Sequence, residues 1–122
     1  MDITERVTDD LTILDVNGKI VCGEGDAIIR ERIKDLVANR RVKILLNLGS
    51  VGFIDSSGLG ELLEGYARVR QAGGSMKLVS LTKRVQNLLA ITQLLTVFDA
   101  FDDEREAVAS FWCKPEEVDR TT

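Results

Sequence analysis

The sequence predicts a single α/β domain in which about four helices pack on a mixed, mostly parallel sheet of four to five strands. Short apolar runs typical of strands alternate along the chain with longer segments whose apolar residues recur at helical spacing. A length of 122 residues suits one hydrophobic core rather than two. Hydrophobic residues make up 44% of the chain and charged residues 30%, a balance typical of a globular protein.

Two strands joined by a tight turn are predicted at the start of the chain. Residues 3–7 and 11–16 alternate apolar and polar side chains, and the Asp9-Asp10 pair between them favours a turn. We therefore expect an antiparallel hairpin. Gly18 and the segment 23–25 then break the strand pattern.

The middle of the chain reads as two helices flanking a buried strand. Asp26 is predicted to cap a helix over residues 27–37, whose apolar side chains recur on one face. Residues 43–48 form an apolar run that indicates a central strand. A second helix is expected to begin near Ser57 and to stop before Gly73.

The last third continues the alternation. Residues 76–81 predict a strand, and Thr82 is placed to cap a third helix. A short strand is expected near Val97 and Phe98, followed by a helix over residues 103–112. We expect the domain to span residues 1–113 and residues 114–122 to form a polar, disordered tail.

The composition argues against several classes of function. The chain has no histidine, which excludes Ser-His-Asp and Cys-His nucleophiles, and two cysteines cannot form a thiolate metal cage. The net charge is -4 with both signs mixed along the chain, so we expect no nucleic-acid partner. No secretion signal or membrane-length apolar run is present, which predicts a cytoplasmic protein without a membrane partner.

The segment between the central strand and the second helix is the candidate functional site. It contains Asp55, Ser56 and Ser57 at a helix start, where unpaired backbone N–H groups favour an anion. One interpretation is that any of these three side chains simply caps the helix. The other is that a serine hydroxyl accepts a phosphoryl group. A small enzyme or nucleotide binder that uses the helix N-termini is a third hypothesis.

The residues Phe-Ile-Asp-Ser-Ser-Gly-Leu-Gly at positions 53–60 resemble the signature of anti-sigma-factor antagonists, the STAS domain family of bacteria. The similarity extends to the opening hairpin, to the turn at residues 17–20 and to the strands at 43–48 and 77–79. It covers about residues 3–111.

The resemblance implies partner switching. Ser56 matches the family's phosphorylation site, and the unphosphorylated protein would bind an anti-sigma factor and release a sigma factor for transcription. The anti-sigma factor would act as a serine kinase with ATP and Mg²⁺, and a PP2C-type phosphatase would reverse the modification. The domain itself would be neither an enzyme nor a cofactor binder. Asp55, Ser57, Gly58 and Leu59 would serve partner binding and kinase docking.

One position departs from the family pattern. Val21 stands where members commonly carry an aspartate, and we expect Glu24 or Asp26 to supply the missing charge for kinase docking. The alternative is a scaffold subunit of a stressosome or lipid-transport complex in which Ser56 is not phosphorylated. The sequence leaves the oligomeric state open.

Overall fold

The computed structural model describes residues 2–23, 25–94 and 97–112. Within these ranges the chain forms five strands and four helices, which confirms the predicted α/β architecture. In chain order the elements are β1 (Asp2–Thr8), β2 (Leu11–Ile20), α1 (Asp26–Ala38), β3 (Lys43–Ile54), α2 (Ser56–Gln71), β4 (Ser75–Val79), α3 (Lys83–Ile91), β5 (Ala100–Phe101) and α4 (Glu104–Ser110). The predicted tail at residues 114–122 and its boundary lie outside the described residues and stay predictions.

The five strands form one mixed sheet in the order β1-β2-β3-β4-β5. The hairpin β1–β2 is antiparallel, as predicted, and the other three neighbouring pairs are parallel. Parallel neighbours need a crossover, which α1, α2 and α3 provide. The carboxyl ends of β2, β3 and β4 therefore meet at one edge of the sheet.

Two strands, β2 and β3, end later in the chain than local sequence patterns predict. β2 does not end at Gly18. This glycine has a φ of +121°, and the strand continues through it to Ile20. β3 does not end near Leu48 but runs to Ile54, paired with the lengthened β2 through small register shifts. Val51 is fully buried in this extension, so the core stabilises strand structure across a Gly- and Ser-rich stretch.

Two further boundaries differ from the predictions. Asp26 is the first residue of α1, and Gly25 occupies the N-cap. The predicted strand near Val97 and Phe98 is wrong, since β5 lies at Ala100–Phe101. Phe98 is instead a core residue. Its ring packs edge-on against the ring of Tyr66, with the two ring centres 5.3 Å apart.

The sheet is covered unequally on its two faces. The larger core lies between the sheet and α1, α2 and α3. A smaller core lies under α4 on the opposite face, because side chains of a strand alternate between faces. Its fully buried members are Leu11, Ile13, Leu45, Val79 and Ala107. None of the helices in the described part of the chain combines the length and apolarity that crossing a bilayer requires.

Thr82 caps α3, as predicted, and a substitution there tests the assignment. Its hydroxyl accepts a hydrogen bond from the Val85 N–H at 3.3 Å and donates to the Val51 carbonyl at 3.3 Å. We expect Thr82→Ala to lower the free energy of unfolding by about 1 kcal/mol in denaturant titrations, the usual effect of losing such a cap. Thr82→Ser retains the hydroxyl and should stay near the parent value; equal loss in both variants would contradict the capping role.

Candidate functional site

The candidate site lies where β3 passes into α2 at the carboxyl edge of the sheet. Asp55 is the N-cap of α2, and Ser56 is the first helical residue. One Asp55 carboxylate oxygen accepts a hydrogen bond from the Gly58 N–H at 2.8 Å, and the other accepts from the Cys22 N–H at 3.0 Å. The Asp55 N–H donates to the Ile20 carbonyl at 3.3 Å. One aspartate thus joins the end of β2 to the start of α2.

The same hydrogen bonds determine the charge of Asp55. The N–H groups of Cys22 and Gly58 stabilise the carboxylate and hold the pKa of Asp55 below its usual range. Asp55 is therefore ionised at neutral pH and places a negative charge next to Ser56.

The Asp55 side chain, and not a serine hydroxyl, caps α2. Ser56 is exposed, Ser57 is half-buried, and the Ser56 hydroxyl makes no hydrogen bond to any residue that the structure describes. Ser56 is therefore not needed as a cap. Its hydroxyl projects from the first turn of a 16-residue helix, at the positive end of the helix dipole.

Gly58 and Leu59 are both buried in this turn. The sequence places both on a docking surface, but Gly58 is buried and Leu59 is only 8% exposed. A Cβ atom on Gly58 would collide with the Ile20 carbonyl oxygen. Glycine at this position lets α2 begin directly against the end of β2.

The loop between β2 and α1 forms the second wall of the site. The Val21 carbonyl accepts from the N–H groups of Gly25 at 3.1 Å and Asp26 at 3.4 Å. An oxygen of the half-buried Asp26 carboxylate accepts from Gly23 N–H at 3.1 Å and Ala27 N–H at 2.7 Å. The Asp26 carboxylate therefore stabilises the loop that leads from β2 into α1. Glu24, the other predicted docking carboxylate, lies outside the described residues.

An aromatic side chain and a cation lie together beside the site, and their contact was not predicted from the sequence. Phe53 lies near the end of β3, and its large apolar side chain is 40% exposed. The Arg84 guanidinium lies 5.9 Å from the centre of its ring. The Lys83-Arg84 pair reads from the sequence as solvated charge or as part of a partner surface. No sequence signal connects Phe53 to Arg84, because the exposure of Phe53 and its contact with Arg84 arise only in the folded chain.

The described residues show nothing that would hold a metal at this site. No group of three or more histidine, cysteine, aspartate or glutamate side chains in those ranges is arranged to bind an ion. The chemistry available is that of an exposed hydroxyl beside a fixed carboxylate.

The pH dependence of Asp55 can be measured directly. Because its pKa is lower in the folded than in the unfolded protein, its contribution to stability is present above about pH 4 and is lost as the pH falls through the folded value. We expect the Asp55 carboxyl carbon to titrate below about 3.9 in NMR spectra of the folded protein, and near that value in urea. Coincident midpoints would contradict the hydrogen-bonding account.

The arrangement of the sheet and the Asp-Ser turn at the start of α2 are those of a STAS domain. The chain belongs to the STAS domain family, which it matches over residues 2–107. It is 30% identical over 82 residues to an anti-sigma F factor antagonist of Paenibacillus polymyxa, with 66% of this chain and 70% of the relative covered. These matches confirm the predicted family.

Solved structures agree with this assignment. A Thermotoga maritima protein assigned as an anti-sigma factor antagonist superposes with a TM-score of 0.86 at 26% identity, covering 91% of this chain and 95% of that one. The phosphorylated form of the Bacillus cell fate determinant SpoIIAA shares the fold, with a TM-score of 0.71 at 19% identity and coverages of 89% and 98%.

Proposed function

We propose that this protein is an anti-sigma factor antagonist that binds its anti-sigma factor when unphosphorylated and is switched off by phosphorylation of Ser56. One observation carries the proposal. Asp55 caps α2, and this leaves the neighbouring Ser56 hydroxyl exposed and without a structural task among the described residues. On this proposal the protein acts in the bacterial cytoplasm.

Phosphorylation would change the partner surface more than the domain itself. A phosphoserine carries about 1.5 to 2 negative charges at pH 7 and three strong acceptor oxygens. At the first residue of α2 these charges lie at the positive end of the helix dipole, so the fold tolerates them. To an approaching partner, they add to the charge of Asp55 and replace a small hydroxyl with a bulky anion.

The proposed partners follow from this chemistry and from the family. The anti-sigma factor would be the serine kinase, using ATP and Mg²⁺, and a PP2C-type phosphatase would restore the active form. Ser56 is then a substrate rather than a nucleophile. We place Asp55, Ser57 and Asp26 on the docking surface, because each is partly exposed in a segment that forms the site. The exposed Phe53 and the Arg84 beside it extend this surface.

Similar proteins support the proposal. The Paenibacillus relative is an antagonist of an anti-sigma factor, and SpoIIAA exists in a phosphorylated form with this fold.

Mapping the modified residue tests the proposal. The full-length protein is incubated with its anti-sigma factor kinase, ATP and Mg²⁺, and the phosphopeptide is identified by mass spectrometry. We expect one phosphate on Ser56, none on Ser56→Ala, and modification of Ser57→Ala still at Ser56. Phosphate on another residue, or no transfer, would rule out the proposed switch.

A scaffold without phosphorylation is the second candidate, and Val21 is the observation that favours it. The apolar side chain stands where the family commonly has an aspartate near the modified serine. A stable large assembly in size-exclusion chromatography, together with a functionally silent Ser56→Ala variant, would support a stressosome or lipid-transport scaffold instead.

A further inference from the structure

A basic cavity lies at the end of the sheet opposite Ser56. It has a volume of about 180 Å³ and is lined by Asp10, Arg40, Arg41, Val42 and Lys43. These residues come from the β1–β2 turn and from the segment that leads from α1 into β3. Because β3 has 12 residues and a strand rises ~3.3 Å per residue, its two ends are roughly 36 Å apart. The cavity is therefore separate from the proposed phosphorylation site.

Positive charge dominates the lining. Arg40, Arg41 and Lys43 contribute three cations against the single carboxylate of Asp10. None of the three takes part in an ion pair within the ranges that the structure describes. Lys43 instead has its ammonium 5.0 Å from the centre of the Trp112 ring. Three cations against one carboxylate around a polar cavity favour a bound oxyanion.

Arg41 is the most constrained of the three cations. Its Nε donates a hydrogen bond to the Thr12 hydroxyl at 3.1 Å, and Thr12 is fully buried. Its Nη2 is enclosed and has no hydrogen-bond partner among the described residues. This nitrogen is closed off from the cavity, so Arg41 contributes its fixed positive charge there rather than this N–H group. The hydrogen bond to Thr12 holds the guanidinium at the cavity wall, which fixes its charge beside a bound anion.

We propose that this cavity binds a small phosphate-type oxyanion, either free phosphate or the phosphate of a monoester. Arg41 and Lys43 are the principal ligands, and Arg40 contributes charge at the rim. The site goes beyond the proposed switching function and does not depend on Ser56.

Chemical-shift titration of the full-length protein tests the proposal. Inorganic phosphate and AMP are added separately, with ionic strength held constant by NaCl so that general screening does not vary. We expect saturable shifts of the Val42 and Lys43 amides and none at Gly58. A response to both probes assigns the site to the phosphate group, and a response to AMP alone assigns it to a monoester. Shifts no larger than those in NaCl for both probes would overturn the proposal.

Charge-neutral variants give the second readout. Arg41→Gln should weaken binding at least tenfold. Arg40→Asn together with Lys43→Gln provides an independent test should Arg41→Gln fail to fold, and asparagine suits the φ of +62° at position 40. Arg105→Gln removes an exposed arginine on α4 and is the control that should bind normally. Equal affinity in the neutralised and control variants would overturn the site.

Discussion

Gly58→Ala is expected to lower the free energy of unfolding by about 3 kcal/mol, at the upper end of the usual effect of overpacking. The added methyl group would meet the backbone carbonyl of Ile20 and the Ile20 side chain. A backbone carbonyl in a sheet cannot move aside as a flexible side chain can. Relief would require α2 to shift away from β2, which would also lengthen the hydrogen bonds of Asp55. Denaturant unfolding monitored by circular dichroism measures the loss.

Gly60→Ala is the matched control on the same helix. Nothing lies within 4 Å of a Cβ atom at position 60, and the residue is exposed. Alanine should therefore stabilise the protein by about 0.5 to 1 kcal/mol, because glycine is unfavourable inside a helix. Similar changes in the two variants would show that α2 does not begin against Ile20 as described.

Ser56→Asp is expected to weaken binding of the anti-sigma factor at least tenfold, which corresponds to about 1.4 kcal/mol. The new carboxylate lies beside Asp55 on the surface that the partner is proposed to contact, and mismatched charge at an interface is unfavourable. The stability of the folded protein should not decrease, because a carboxylate in the first turn of a helix is stabilising. Calorimetric titration gives the affinity, and thermal unfolding gives the stability.

Two variants separate this local effect from a general change in charge. Ala67→Glu adds one negative charge at an exposed position farther along α2 and should bind like the parent protein. Ser56→Ala should also bind, and it should no longer be inactivated by the kinase and ATP. Equal weakening by Ala67→Glu and Ser56→Asp would indicate net charge rather than the Ser56 position as the cause.

Local patterns were sufficient for most of the fold. Alternating residues predicted the hairpin, helical spacing predicted α1 and α2, and a threonine before an apolar face predicted the cap of α3. The end of β3 could not be predicted locally because Gly49, Ser50 and Gly52 have low strand propensity. Pairing with β2 and burial of Val51 override that preference, and both depend on residues distant in sequence.

The sequence predicted which residues form the candidate site, but not their hydrogen bonds or which of them caps α2. Asp55, Ser56 and Ser57 are all acceptable caps, so only the position at which β3 ends shows which one fills that role. The hydrogen bond from the Cys22 N–H to Asp55 joins residues 33 positions apart, and no local pattern indicates it. The same holds for the approach of Arg84 to Phe53.

The affinity of the anti-sigma factor for the antagonist in its two forms tests the central proposal most directly. The protein is phosphorylated to completion, its modification at Ser56 is verified by mass spectrometry, and both forms are titrated with the anti-sigma factor under identical conditions. We expect the unphosphorylated form to bind and the phosphorylated form to bind at least tenfold more weakly, with phosphatase treatment restoring the first value. Equal affinity of the two forms would contradict the switch at Ser56.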